Sequence, residues 1–256
     1  MNITILGCGS STPSEWRKPS SQFIEIGQLC VLLDCGEGTI FQLLANKILH
    51  QKIDLVLISH LHGDHYAGLF GLITAMNSSG RIKPLTVFGP NGLSEIITLQ
   101  LYYSKTKLNF EIDFRLASQK VKKCIFENQN VSIFSFPLNH RVTCSGFLLE
   151  EIVDGQTKSY AYCSDTLADD SYADYIQNVD LLYHEATFES KMINWAIKTK
   201  HSTALQAAET AKMVGARRLL LGHFSSRYNN VDHLILEAKA IFENVQEAIE
   251  GKTYVI

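Results

Sequence analysis

Short apolar runs with the length of β-strands recur along the chain, and several of them precede stretches with helical periodicity. In the first half these runs predict strands at 3–6, 22–26, 30–34, 55–59 and 85–88. Apolar residues spaced three and four apart predict helices over 37–47, 66–76 and 93–103. The first half therefore reads as one sheet with helices beside it.

The second half repeats this organisation. Strands are predicted at 110–116, 121–126, 131–138, 146–152, 160–164, 180–184 and 217–222, and helices over 204–214 and 233–242. Two successive β-rich halves, each with helices, indicate two sheets packed face to face with helices outside. This is an α/β (α+β) fold with a four-layer αββα sandwich. No Pro/Ser-rich or low-complexity linker marks a boundary, so one domain over 1–256 is predicted.

Composition limits the possible function classes. The chain of 256 residues is 46% hydrophobic and 19% charged, with a net charge of −3, so it has no overall electrostatic signature of nucleic-acid or membrane binding. Its six cysteines form no C-x-x-C pair, which predicts buried free thiols in a reducing cytoplasm. The sequence has neither a basic n-region nor a long apolar stretch, so neither a signal peptide nor a membrane span is predicted.

Residues 60–65 read His-Leu-His-Gly-Asp-His, directly after an apolar run that ends at Ser59. Four metal-ligand side chains thus follow the carboxyl end of a predicted strand, where the sites of α/β folds collect. Imidazole suits zinc, and a carboxylate among imidazoles allows a second divalent ion nearby. The alternative is a solvated turn, but histidine is not a typical turn residue. The pattern predicts a metal site.

Three more polar residues each follow an apolar run: His140, Asp165 and His223. A single histidine after a strand is more often structural than a ligand. In a chain that already carries the cluster at 60–65, the three together are predicted to reach the same rim.

The motif His-x-His-x-Asp-His, here His60, His62, Asp64 and His65, resembles that of the metallo-β-lactamase superfamily. Further motifs, in order and spacing, resemble the ribonuclease Z family of tRNA 3′-end-processing endonucleases, and they cover nearly the whole chain. They are Leu6-Gly-Cys-Gly-Ser-Ser-Thr-Pro13, Leu33-Asp-Cys-Gly-Glu-Gly38, Ser59-His-Leu-His-Gly-Asp-His65, Gly68-Leu-Phe-Gly-Leu72, His184-Glu-Ala-Thr-Phe188, His201-Ser-Thr203 and Gly222-His-Phe-Ser-Ser-Arg-Tyr228.

This resemblance implies two zinc ions per chain. One would be bound by His60, His62 and His140, the other by Asp64, His65 and His223, with Asp165 bridging them. The ions would share a hydroxide, since metal binding lowers the pKa of water to about 7. Asp64 would also orient or deprotonate this nucleophile.

The resemblance makes Glu185 and His201 the proton donor for the leaving ribose oxygen. Structural alternatives stay open for both. Glu185 could cap a turn after its strand, and His201 could precede a helix capped by Ser202. His184 is expected to be structural, and His50 and His233 to face solvent.

Arg227 and Tyr228 follow the last ligand and are predicted to bind substrate, because an arginine fork suits phosphate. A surface arginine is the alternative. Arg17 and Lys18 match only loosely the family loop that reads the tRNA end. Lys120, Lys122 and Lys123 are expected to be a solvated strand edge.

The chain departs from the family in one respect. Members insert a long basic arm that grips the tRNA elbow, usually from the partner subunit of a homodimer, between the strands that precede Asp165. Here Asp154-Gly155 predicts a hairpin turn instead. The resemblance implies a cytoplasmic homodimeric endoribonuclease that cleaves pre-tRNA 3′ to the discriminator nucleotide. A hydrolase of small phosphodiesters, such as cyclic nucleotides, is the alternative, and a non-enzymatic RNA-binding scaffold is a weaker third class.

Overall fold

Two seven-stranded sheets form the centre of the computed structural model, which describes residues 1–12, 14–118 and 120–256. Pro13, the last residue of the first family motif, lies outside them. The strands are β1 (Asn2–Gly7), β2 (Ser21–Ile26), β3 (Leu29–Cys35), β4 (Leu55–Leu57), β5 (Leu85–Gly89), β6 (Ile112–Leu116), β7 (Lys123–Glu127), β8 (Val131–Leu138), β9 (Cys144–Val153), β10 (Gln156–Cys163), β11 (Leu181–Glu185), β12 (Leu219–Gly222), β13 (Val245–Glu247) and β14 (Thr253–Val255). The helices are α1 (Thr39–Ala45), α2 (Gly63–Tyr66), α3 (Leu69–Ser78), α4 (Leu93–Tyr103), α5 (Ile193–Thr199), α6 (Ala204–Met213) and α7 (Asp232–Lys239).

The two sheets have the same plan. The first has the order β14-β1-β2-β3-β4-β5-β6 and the second the order β13-β12-β11-β10-β9-β8-β7. In the first sheet β14 to β3 pair antiparallel and β3 to β6 pair parallel. In the second, β7 to β10 pair antiparallel and β10 to β13 parallel. Each half thus ends in parallel strands whose carboxyl ends can carry a site.

The side chains around β4 show how the layers are packed. Leu55 and Leu57 belong to the core between the two sheets. Val56 and Ile58 point the other way and pack with helix residues such as Leu72 of α3. This alternation is the period of a strand buried on both faces. On the far side, α6 and α7 cover the second sheet, so the predicted four-layer sandwich is confirmed.

One predicted strand lies in a different sheet from the one expected. The sequence predicts residues 110–116 to begin the second half, whereas β6 pairs parallel with β5 at the edge of the first sheet. The reason is the crossover through α4, which returns the chain parallel to β5. The two short strands β13 and β14, and helix α5, have no counterpart in the sequence prediction. Strand β14 pairs with β1, so the end of the chain closes the first sheet.

The predicted helix over 66–76 is two helices, α2 and α3, separated at Gly68. The backbone N–H of Gly68 donates to Cys35 O at 2.9 Å. A Cβ at position 68 would lie 2.2 Å from the carbonyl oxygen of Gly36, so only glycine fits this contact. The break fixes α2, which carries Asp64 and His65, against the end of β3.

Backbone hydrogen bonds tie the segment after β4 to the start of β9 in the other sheet, and the segment after β8 to the segment after β10. Ser145 N donates to Ser59 O at 3.0 Å, and Leu167 N donates to Asn139 O at 2.9 Å. These bonds hold the polar segments at 59–65, 139–141 and 164–166 on one rim. Within the described part of the chain, no helix is long and apolar enough to span a bilayer.

Candidate metal centre and active site

The residues predicted to bind metal meet on this rim. Each lies at or just after the end of a strand, or on the short helix α2. They are His60 and His62 after β4, Asp64 and His65 in α2, His140 after β8, Asp165 after β10 and His223 after β12.

The first group contains His60, His62, His140 and Asp165, whose ligand atoms all lie within 4.8 Å of one another. His62 Nδ1 is 3.0 Å from His60 Nε2 and 3.2 Å from His140 Nε2. Asp165 Oδ2 lies 3.6 Å from His60 Nε2 and 3.7 Å from His140 Nε2. Three imidazole nitrogens and a carboxylate oxygen therefore surround one point, which is a set of donors suited to zinc.

The second group contains Asp64, His65 and His223. Asp64 Oδ2 lies 3.4 Å from His65 Nε2 and 3.3 Å from His223 Nε2. Asp165 turns its other oxygen, Oδ1, to the same two nitrogens, at 3.3 Å and 3.2 Å. Asp165 thus faces both groups, one oxygen to each.

The donors fit two divalent cations. Asp165 Oδ1 is a buried oxygen with no hydrogen-bond partner among the described residues, which is costly unless a cation or other ligand satisfies it. Two of the candidate ligands have their outward nitrogens already engaged: His140 Nδ1 by Lys200 O at 2.8 Å, and His223 Nδ1 by Thr187 Oγ1 at 2.8 Å. Such bonds fix the rings with Nε2 directed to the centre, as in metal sites generally.

Asp34 is a part of the site that sequence reasoning missed. Its Oδ2 lies 2.8 Å from His65 Nδ1 and accepts hydrogen bonds from Ser59 Oγ at 2.9 Å and Tyr162 OH at 2.7 Å. Asp34 is fully buried and has φ +54°, an uncommon backbone conformation for this residue. It lies in the family motif at 33–38, which was the only available signal. The backbone of His223 likewise lies in the left-handed region, with φ +57°.

Burial and neighbouring charges lower the pKa of some histidines in the site and raise that of His65. Burial lowers the pKa of His60 and His62, and lowers that of His140 to about 4, so these imidazoles are neutral at neutral pH, the form that binds metal. Burial also acts to lower the pKa of His65, but Asp165, Asp64 and Asp34 outweigh it and raise the pKa well above its usual value. Three carboxylates around one ring create a negative potential that a cation would neutralise.

Glu185 and His201 form a hydrogen-bonded pair beside the metal groups. His201 Nδ1 lies 2.8 Å from Glu185 Oε1, and Glu185 is completely buried. Burial opposes a charge on His201, but Glu185 and Asp165 outweigh it and raise its pKa to about 9. Glu185 also accepts hydrogen bonds from the backbone N–H groups of Thr166 and Thr187. It therefore also caps the turn after its strand, which is the alternative role predicted from the sequence.

The alternative role predicted for His201 does not fit the helix start. The N-cap of α6 is Thr203, which forms a capping box with Gln206, and not Ser202. Ser202 Oγ instead donates to Thr166 O at 2.7 Å. His201 is therefore two residues before the cap and is free to serve the site.

A cavity of about 360 Å³ opens over both metal groups. Its wall contains four of the predicted metal-ligand residues, His201 and Arg227, together with residues to which the sequence analysis gave no individual role. These are Ser10, Ser11, Thr12, Arg141, Thr187, Phe188, Trp195, Thr199 and Ser225. Arg141 directly follows His140, a predicted ligand, and that adjacency was the one signal that could have found it.

Tyr228 is not brought into this cavity. Its side chain is buried, and its hydroxyl accepts from Glu189 N at 3.2 Å. The Tyr228 carbonyl accepts a hydrogen bond from Arg17 Nη1 at 2.7 Å, so the Arg17 guanidinium is engaged by the protein backbone. Arg227 does line the cavity, with its guanidinium 5.7 Å from the Phe188 ring.

The remaining sequence predictions have mixed outcomes. His184 is buried, and its Nε2 lies 2.8 Å from Tyr172 OH, which confirms a structural role. His233 is exposed as expected, whereas His50 is partly buried with Nε2 3.2 Å from Ser79 Oγ. Asp154 and Gly155, with φ 52° and 74°, form the predicted tight turn between β9 and β10.

Comparisons with known proteins agree with this geometry. Residues 30–224 match the model of the Beta-lactamase superfamily domain. The chain is 38% identical to the Ribonuclease Z of Cytophaga hutchinsonii, with 99% of this chain and 96% of that protein covered. It is 34% identical to the Ribonuclease Z of Porphyromonas gingivalis, covering 94% of each.

Solved structures include close matches. The short form of human tRNase Z superimposes with a TM-score of 0.86 at 29% identity, covering 100% of this chain and 99% of that one. A metallo-beta-lactamase fold protein from Bacillus subtilis gives a TM-score of 0.82 at 25% identity, covering 99% and 98%. The sequence match and the shared fold together place this chain in the ribonuclease Z family of the beta-lactamase superfamily.

Proposed function

We propose that this chain is a metal-dependent endoribonuclease that removes 3′ trailers from pre-tRNA. The observation that carries the proposal is that seven candidate metal-ligand side chains meet beside the Glu185–His201 pair, with four of the seven and His201 lining one cavity. The relatives named Ribonuclease Z and the human tRNase Z structure support RNA as the substrate.

Two zinc ions per chain are proposed as the cofactor. His60, His62 and His140 would hold one ion, Asp64, His65 and His223 would hold the other, and Asp165, which faces both groups, would serve both. When bound, such ions act as Lewis acids and make an attacking hydroxide available at neutral pH. Imidazole-rich sites of this kind favour zinc over magnesium or calcium.

The chain's own residues would then position and move protons. The Asp64 carboxylate lines the cavity and is held by His65 and His223, which suits it to orient the attacking water and accept its proton. Because Nδ1 of His201 is hydrogen-bonded to Glu185, the Nε2 nitrogen of that ring would protonate the departing ribose oxygen. Arg227 is proposed to bind the phosphate to be cleaved.

The tight turn between β9 and β10 bears on which substrate is preferred. The alignment with the Cytophaga relative runs over 299 positions, more than the 256 residues of this chain, so that relative has residues with no counterpart here. A chain without the elbow-gripping arm would leave a more accessible cavity. This favours, as a second candidate function, hydrolysis of small phosphodiesters such as cyclic nucleotides.

One experiment separates these functions. Purified protein loaded with zinc is given pre-tRNA with a 3′ trailer, a cyclic nucleotide and bis-p-nitrophenyl phosphate, with and without chelator. The proposal expects chelator-sensitive cleavage of pre-tRNA directly 3′ to the discriminator nucleotide, at a higher kcat/KM than for the cyclic nucleotide. Cleavage of the cyclic nucleotide alone would replace the first proposal by the second.

A cytoplasmic homodimer is proposed as the working form. All six cysteines are free and four of them are buried, which suits a reducing compartment. Large apolar side chains are exposed on α1 (Phe41, Leu44) and on α4 (Leu99, Tyr102, Tyr103), which supports a partner surface. Analytical ultracentrifugation tests the dimer, and a monomer at micromolar concentration would contradict it.

A further inference from the structure

Trp195 and Arg141 are two large cavity residues to which the mechanism above gives no role. Both line the cavity over the metal groups. Trp195 belongs to α5, and Arg141 lies in the loop between β8 and β9, next to ligand His140. The question is what these two side chains could bind.

Helix α5 and the Arg141 loop are fastened to one another. Lys200, the C-cap of α5, donates from Nζ to Asn139 Oδ1 at 2.9 Å, and its carbonyl lies 2.8 Å from His140 Nδ1. Thr199 also lines the cavity and donates from Oγ1 to Trp195 O at 2.7 Å. The wall that carries Trp195 is therefore held in a fixed position relative to the metal ligands.

Trp195 is an exposed aromatic surface within this wall. Its side chain is 40% exposed, whereas its neighbour Ala196 is fully buried and anchors the helix. The Lys198 ammonium lies 5.2 Å from the indole centroid, which adds positive charge beside the ring. An indole kept partly in water at the wall of a polar cavity offers a flat apolar face to a ligand.

Arg141 is an exposed cation in the same cavity wall. Among the residues that the structure describes, no carboxylate forms an ion pair with its guanidinium. Arg227, which also lines the cavity, contacts Ser225 Oγ at 3.3 Å. An unpaired guanidinium beside imidazole ligands suits a phosphate, which it can bind with two parallel hydrogen bonds.

We propose that Trp195 and Arg141 form a subsite for one nucleotide next to the cleaved bond. Trp195 stacks on its base and Arg141 binds its phosphate, the combination with which proteins hold unpaired strands without reading sequence. The subsite rests on the proposed RNA substrate. It also restricts the class of RNA that can be cleaved, because the strand must be unpaired at the cleaved bond. Base identity at this position then matters little, whereas presence of a base matters.

The test for Trp195 uses pre-tRNAs in which one of the two nucleotides flanking the cleaved bond is abasic. Trp195→Ala is expected to lower kcat/KM on intact pre-tRNA about tenfold, within the range for base–aromatic stacking. Trp195→Phe keeps a flat ring and is expected to lose much less. On one of the two abasic substrates, wild type and Trp195→Ala should become equal. An equal loss from Trp195→Ala on all three substrates, with zinc content unchanged, would overturn the stacking role.

Arg141 is tested by replacing one phosphate flanking the scissile one with an uncharged methylphosphonate. Arg141→Gln should lower kcat/KM roughly tenfold on normal pre-tRNA, as expected for a charged hydrogen bond, and have no further effect on the correct methylphosphonate. Arg115→Gln is the matched control, because Arg115 lies on edge strand β6 paired with Asp113. Equal losses from both variants overturn the subsite. If wild type does not release trailers at all, the proposed function fails and the subsite with it.

Discussion

Asp34 and His65 are joined by a buried contact of 2.8 Å between Oδ2 and Nδ1. Asp34 belongs to β3 and His65 to α2, and Tyr162 of the second sheet donates to the same carboxylate oxygen. A single buried carboxylate therefore orients His65, a proposed metal ligand, and ties the two sheets together beneath the site.

Asp34→Asn is expected to weaken metal binding by about 10- to 100-fold, the usual effect of losing a carboxylate behind a ligand histidine. The amide keeps the size of the side chain but loses its charge and one acceptor. Competition with a fluorescent zinc chelator measures the change. Asp180→Asn is the control, because Asp180 likewise accepts from Ser159 N across two strands but is not among the metal-ligand residues. Equal zinc affinity in both variants would contradict the role of Asp34.

Removal of zinc should lower thermal stability, because the ligands come from both sheets. At a metal concentration of about 1,000 Kd the linkage is worth roughly 4 kcal/mol, or on the order of 10 °C in Tm for a chain of this size. Calorimetry before and after chelation measures it. Readdition of zinc, but not calcium, should restore Tm. The same scan tests the predicted single domain, which requires one cooperative transition.

Glu185→Gln and His201→Ala should slow RNA cleavage far more than hydrolysis of bis-p-nitrophenyl phosphate. Nitrophenolate leaves without a proton, whereas a ribose oxygen needs one, and general acid catalysis is worth about 10²- to 10⁴-fold. Steady-state rates on both substrates, at equal zinc content, provide the measurement. If both substrates lose activity equally, the pair acts only as a support for the metal ligands.

The short β9–β10 turn predicts weak binding of pre-tRNA. Contacts limited to the acceptor end neutralise about three phosphates, which gives a log–log salt slope of about −3 or shallower. Inserting a basic arm after Asp154 should lower KM for pre-tRNA, whereas a Gly/Ser insert of equal length should not. Nanomolar affinity of the unaltered protein at physiological salt would show that another surface replaces the arm.

The sequence allowed the fold class to be predicted, and the residues that meet in the two candidate metal groups to be named, because both depend on local patterns. Apolar runs mark buried strands, and His140, Asp165 and His223 each follow one directly. Asp34, Arg141 and Trp195 could not be assigned in this way, since their roles depend on which distant segments they meet. The same holds for β6 and β14, whose sheet is decided by the path of the chain and not by their composition.

The most direct test compares wild type and Asp64→Ala on 5′-labelled pre-tRNA, with the zinc content of both proteins measured. Asp64 lines the cavity and belongs to the second metal group, so the account places it at the reacting phosphate. Wild type is predicted to give one product that ends at the discriminator nucleotide, and Asp64→Ala to be slower by several orders of magnitude. An Asp64→Ala protein that holds two zinc ions and releases the trailer at the wild-type rate would contradict the account.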